Sequence, residues 1–298
     1  MCLVSKGGKK MKITKVEALQ KIANRIGMDI ITEIYYGKSG HPGGSLSIAD
    51  ILAVLYFNEM NINPKMPEDS SRDRLVLSKG HASAALYAVL AEKGYISKDE
   101  LLTFRNINSN LQGHPDMNKV KGVDMTTGSL GQGLSVANGM ALASKMDSMG
   151  YRVYCIIGDG ELDEGQIWEA AMTSSKYNLD NLCAIVDCNG LQLTGNTEEI
   201  RGINSEDIEQ KFRSFGFNTI TINGNDIFSI INAFGVAHMA KGKPSVIIAK
   251  TVKGKGISFM EGNAAWHGKA LNDEEYKLAL EELIEREKQI DKEMEGDN

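Results

Sequence analysis

The chain has 298 residues and a formal charge of −6, from 33 Lys+Arg against 39 Asp+Glu; 42% of it is hydrophobic and 24% charged. The acidic balance argues against a partner held through nucleic-acid phosphates, and the longest apolar run, Ala84 to Ala91, is too short to span a membrane. Four cysteines over this length make neither a disulfide scaffold nor a spaced zinc motif.

Residues 1–10 read as a loose basic extension, and Met1 and Met11 both suit a natural start. No signal-peptide pattern opens the chain, so the cytoplasm is the expected compartment. Val16, Leu19, Ile22, Ile26 and Ile30 recur at helical spacing and predict a helix over Lys15 to Ile34. A Gly-rich loop follows. Ser47 and Asp50 have capping-box spacing at the head of a second helix running to Leu55. A short strand is expected over Leu75 to Leu77 and an Ala-rich helix over Ala82 to Lys93. Ser97 and Glu100 form another capping box.

From Leu134 onward the rhythm becomes regular. Helices are expected over Leu134 to Met146, Gly165 to Lys176, Ile208 to Phe215 and Ile227 to Met239. Between them lie apolar strands over Val153 to Ile157, Leu182 to Asp187, Asn218 to Ile222 and Ser245 to Ala249. Strands that are apolar throughout and alternate with helices predict an α/β fold, a doubly wound parallel sheet with helices on both faces. Ligands then bind at the carboxyl ends of the strands. One domain is expected over residues 11–271, and a helix with a short tail over 272–298. Tyr276, Leu280, Leu283, Ile284 and Ile290 stripe that helix. Amphipathicity predicts that the stripe packs on its own body, with a partner chain as the alternative.

Gly158-Asp159-Gly160 directly follows one strand, and Asn189 directly follows the next. A lone Gly-Asp-Gly is usually a turn. Here 28 residues separate Gly160 from Asn189, room for one helix and one strand. Such a βαβ unit sets Asp159 and Asn189 side by side at one sheet edge. Both offer oxygen to a hard cation, and the glycines let backbone N–H groups close on a diphosphate. Four of the five histidines adjoin a glycine: His41, His81, His114 and His267. They are placed on loops, whereas His238 falls within a predicted helix and reads as structural.

The spacing of Gly158-Asp159-Gly160 and Asn189 resembles the thiamine diphosphate signature. Ser39-Gly40-His41-Pro42-Gly43-Gly44, Ser78-Lys79-Gly80-His81-Ala82, Gln112-Gly113-His114-Pro115-Asp116, Gly128-Ser129-Leu130-Gly131-Gln132-Gly133 and Trp266-His267-Gly268-Lys269 resemble transketolase motifs, in transketolase order. The likeness runs from about Ile13 to Leu271. It implies a metal, Mg²⁺ or Ca²⁺, held by Asp159, Asn189 and the carbonyl of Leu191. It implies that Gly128, Ser129, Leu130, Gly158, Gly160, Glu161, Asn189, His81 and Lys253 meet thiamine diphosphate. His41 and His267 would exchange protons with a sugar-phosphate donor, and His81 and His114 would line the same pocket.

The family's activating glutamate and the aromatic wall for the pyrimidine ring belong to a following domain. The resemblance therefore implies the N-terminal subunit of a split transketolase, paired with a separate C-terminal subunit, two of each. The implied reaction moves a two-carbon ketol unit from a ketose phosphate to an aldose phosphate. The alternatives are a 1-deoxyxylulose-5-phosphate synthase, a 2-oxo acid dehydrogenase chain, or a non-catalytic cofactor-binding subunit.

Overall fold

Five strands hydrogen-bond into one parallel sheet in the computed structural model, which describes residues 13–192, 195–202 and 204–296. The expected extension over residues 1–10 and the choice between Met1 and Met11 lie outside the described residues. The strands are β1 (Arg74–Leu77), β2 (Val153–Gly158), β3 (Leu182–Cys188), β6 (Asn218–Asn223) and β7 (Ser245–Lys250), in the order β1-β2-β3-β7-β6. A small antiparallel ribbon of β4 (Leu191–Gln192) and β5 (Gly195–Asn196) lies between β3 and β6 in the chain. The central strands are buried nearly end to end, as a sheet covered on both faces requires. Strand β6, at the edge, alternates polar and apolar residues and is half exposed.

Alternation along the strands divides the core in two. Leu75, Tyr154, Ile185 and Ile247 pack with the helices Ile13–Gly37, Ala49–Val54, Ser83–Lys93 and Ile227–Met239. Their neighbours Val76, Cys155, Ala184 and Ile248 pack with Gly133–Met146, Gly165–Lys176 and Ser205–Ser214 on the other face. The doubly wound α/β sheet is therefore present as the periodicity predicts.

Most expected helices form within a few residues of their expected bounds, and the Ser97–Glu100 capping box closes. The Ser47 box does not. That stretch is a helix Pro42–Leu46, a break, and a helix Ala49–Val54 that continues as a π-helical turn, Leu55–Glu59. Ser47 Oγ points instead into the core, onto Asp187 Oδ2 at 2.7 Å. Ser47 ends the first of these helices in a helical conformation, and Ile48 rather than Ser47 occupies the N-cap of the next, so no box can close.

The C-terminal helix, Asp273–Gly296, lies along the first helix of its own chain. Leu283 and Ile290 of the stripe are buried, and Ile284 is exposed. Tyr276 stacks on Tyr35 with ring centroids 4.0 Å apart, and Asn24 Nδ2 donates to the Leu283 carbonyl at 2.8 Å. Among the described residues no helix is long and apolar enough to cross a membrane.

Candidate active site

The carboxyl ends of β1, β2, β3 and β7 open onto one cavity of about 410 Å³. Each strand delivers residues to it: Lys79 and His81 after β1, Asp159 and Gly160 after β2, Asn189 and Leu191 after β3, and Lys253 after β7. His41 enters from the loop before the helix Pro42–Leu46, and His267 from the turn after Ala264–Trp266. His114, Gly128 and Leu130 come from the long connection between Leu101 and Gly133. The loops approach closely: a Cβ on Gly43 would lie 2.9 Å from the Trp266 carbonyl and 3.0 Å from Lys253 Cγ.

Asp159 and Asn189 are neighbours, as parallel pairing of β2 with β3 demands. Gly158 pairs with Asp187 across the two strands. Asp159 is buried, with Oδ1 accepting Gly160 N–H at 2.9 Å and Oδ2 accepting Gly190 N–H at 2.7 Å. The second bond draws the 189–191 turn against the carboxylate. Asn189 Oδ1 accepts Leu191 N–H at 3.1 Å, and the Leu191 carbonyl accepts from Lys253 Nζ at 2.9 Å. Among the described residues no group of three His, Cys, Asp or Glu gathers to hold a metal. The donors here are of another kind: one carboxylate, one amide and one main-chain carbonyl that already faces a cation. That all-oxygen set fits a hard ion such as Mg²⁺.

His41, His81 and His267 form a triangle, with ring centroids 5.2, 5.5 and 5.4 Å apart. Burial lowers their pKa values, to about 4 for His41, about 2 for His81 and about 4 for His267. Cations reinforce the shift: Arg105 at His41, Lys79 at His81 and Lys253 at His267. All three are neutral at pH 7, each able to donate from one nitrogen and accept at the other. Lys253 Nζ lies 2.8 Å from His267 Nδ1, so Nδ1 accepts and the ring proton sits on Nε2. Burial also lowers the Lys253 pKa, to about 8. His41 Nδ1 is buried with no protein partner, a polar atom left for a ligand.

The structure brings together every site residue the sequence singled out except one. Ser129 is exposed and is not among the residues lining the cavity. Glu161 lines it, yet its carboxylate is turned to the protein, accepting from Ser78 Oγ at 2.5 Å, Gly131 N–H at 2.8 Å and Gly158 N–H at 3.0 Å. Burial raises the Glu161 pKa, although these three bonds pull the other way. His238 lies outside the site, in its helix, against Glu59.

Sequence reasoning missed Lys79, Asp187, Gln192 and Arg105. Lys79 and Asp187 form a buried ion pair at 2.6 Å in the wall of the cavity. Burial would raise the Asp187 pKa, but Lys79 and the hydrogen bonds of Thr251 and Ser47 outweigh it and hold the carboxyl below its ordinary value. A signal existed: a charged residue inside an otherwise apolar strand must be paired. Arg105 reaches the rim, where its Nη1 donates to Ser39 Oγ at 2.8 Å.

Comparison with known proteins places the chain in one family. The family described as transketolase, thiamine diphosphate binding domain, matches residues 18–289. The chain is 49% identical over 265 residues to the 6-deoxy-6-sulfo-D-fructose transketolase subunit SqwG of Clostridium sp., covering 89% of this chain and 96% of that one. It is 42% identical over 282 residues to an apulose-4-phosphate transketolase subunit of Phocaeicola vulgatus, covering 95% and 99%. The crystal structure of transketolase from Campylobacter jejuni superposes with a TM-score of 0.85 at 38% identity, over 90% of this chain and 43% of that one.

Proposed function

Since the chain belongs to the transketolase family, as its thiamine diphosphate-binding part, we propose that it is one subunit of a cytoplasmic split transketolase. It would move a two-carbon ketol unit from an anionic ketose donor to an aldose acceptor. A separate subunit would supply the pyrimidine-binding half of the site, in an assembly with two of each chain. Two relatives named as transketolase subunits, matched over nearly their whole length, support the split form. Their names carry a sulfo-sugar and a sugar phosphate, and they support an anionic substrate for this chain too.

The observation that carries the reading is the closure of the 189–191 turn on Asp159, in the same cavity that three neutral imidazoles line. When bound, thiamine diphosphate supplies the electron sink for breaking and making the carbon–carbon bond. Asp159, Asn189 and the Leu191 carbonyl would hold Mg²⁺. Lys253 would turn its ammonium to the diphosphate, and the backbone at Gly160 would face it. His41 and His267 would take up and return protons at donor hydroxyls, His267 donating from Nε2. His81 and His114 would orient the cofactor and the sugar hydroxyls.

The test is a calorimetric titration of thiamine diphosphate into the complex with and without Mg²⁺, for the parent and for Asp159→Ala. Binding that needs Mg²⁺ in the parent and is lost in the variant is expected. Equal binding by both would contradict the assignment. Turnover of ketose phosphates against sulfo-sugars by the same complex then names the donor.

A further inference from the structure

A wholly buried carboxylate sits in the wall of the cavity, and the proposed chemistry does not use it. Asp187 Oδ2 accepts from Lys79 Nζ at 2.6 Å, from Ser47 Oγ at 2.7 Å and from Asn189 Nδ2 at 2.9 Å. Its Oδ1 accepts from Thr251 Oγ1. These donors come from four separate segments, and Lys79 Nζ also donates to the Gly44 carbonyl at 2.6 Å. Four donors on one carboxylate make it an acceptor only, and fix its place.

An amide side chain has one donating and one accepting end. Asp187 takes the donating end of Asn189, so Asn189 Oδ1 must face away from it. It does so, toward Leu191 N–H, on the side where Gly190 meets Asp159. Without that anchor the amide could turn over, and would present nitrogen where a hard cation needs oxygen.

We infer that Asp187 is a positioning residue that fixes the Asn189 amide with its oxygen toward the metal side, with Lys79 as the buried counter-charge that keeps the anchor in place. The inference rests on the reading of Asn189 as a metal ligand. Partners that orient a ligating side chain in this way typically change metal affinity about 10–100-fold when removed.

The test compares two charge-balanced double variants in the complete complex with thiamine diphosphate. Lys79→Met/Asp187→Leu removes the buried pair together with the acceptor for Asn189. Lys79→Met/Asp187→Asn also removes the charges, but its side-chain carbonyl can still accept from Asn189, because Thr251 can rotate to accept the new amide. Mn²⁺ affinity is read by electron paramagnetic resonance, and folding by thermal melting. We expect the Leu variant to bind Mn²⁺ about 10–100-fold more weakly and the Asn variant to recover most of that loss. Parent-like affinity in the Leu variant would overturn the inference. So would an equal loss in both variants, which would assign the effect to charge. If the Leu variant does not fold, Lys79→Met/Asp187→Ala is read the same way. Absence of Mn²⁺ binding in the parent complex would instead overturn the ligand reading of Asn189, and the inference with it.

Discussion

Glu161 offers the sharpest stability test in the site. Its carboxylate is buried and joins three loops, through Ser78, Gly131 and the N–H of Gly158. Glu161→Ala would strand the buried N–H of Gly131 and the half-buried N–H of Gly158, which lines the cavity. Each costs about 1–3 kcal/mol when left unpaired. A loss of about 3 kcal/mol follows, a little over a hundredfold in the folded-to-unfolded ratio. Glu161→Gln is gentler. The amide oxygen can keep the Ser78 and Gly131 bonds, but the NH₂ then faces the Gly158 N–H, donor against donor. That variant should lose about 1–3 kcal/mol. Urea denaturation with linear extrapolation reads both, and an unchanged slope confirms that the same surface is exposed on unfolding. An Ala variant within about 0.5 kcal/mol of the parent would refute the reasoning. A Gln variant of parental stability that no longer binds thiamine diphosphate would show that Glu161 serves the cofactor directly.

Two further outcomes are expected. A Cβ on Gly80 would lie 2.7 Å from Thr127 Oγ1 and 2.8 Å from the Gly128 backbone nitrogen, so Gly80→Ala should cost about 1–3 kcal/mol by overpacking and displace the Gly128 loop; thermal melting and cofactor titration check the two effects, and a neutral result in both would show that the loop yields freely. His41, His81 and His267 have folded pKa values below the ordinary 6.5, so the folded state resists protons that the unfolded state binds. Their contribution is whole above pH 6.5 and is lost as pH falls toward about 4 for His41 and His267 and toward about 2 for His81, each group costing at most about 1.4 kcal/mol per pH unit. The melting temperature of the parent should therefore fall more steeply between pH 6 and 5 than that of a His41→Asn/His81→Asn/His267→Asn variant, in which the other titrating groups are unchanged; parallel profiles would mean that these rings titrate normally.

The placing of Asn189 beside Asp159 was legible because a parallel sheet leaves little freedom. Two strands joined by one helix place their following residues side by side, so Asp159 and Asn189 could be paired from spacing alone. The four loop histidines were legible as loop residues from their glycines, and as one site only through the family resemblance. Ser47 was misread because a capping box is a local pattern, while its true partner, Asp187, lies 140 residues away. No window along the chain contains both. Asp187 itself carried a signal in its burial among apolar neighbours, but only the fold reveals what neutralises it. For the last helix, periodicity defined the stripe and could not say what it covers. The Tyr35–Tyr276 stack and the Asn24–Leu283 bond decide that it covers the first helix.

That last pairing bears on how the chain folds. Lys21 and Asp291 meet across 270 positions of sequence. Joining segments so distant costs about 5 kcal/mol of chain entropy by loop-closure scaling, and nothing offsets it until the sheet between them has formed. The seam along the first helix is therefore expected to close late in folding. Contacts made after the folding barrier chiefly set the rate of unfolding. The seam between the two long helices is therefore a lever on how long the folded protein lasts, more than on how quickly it forms.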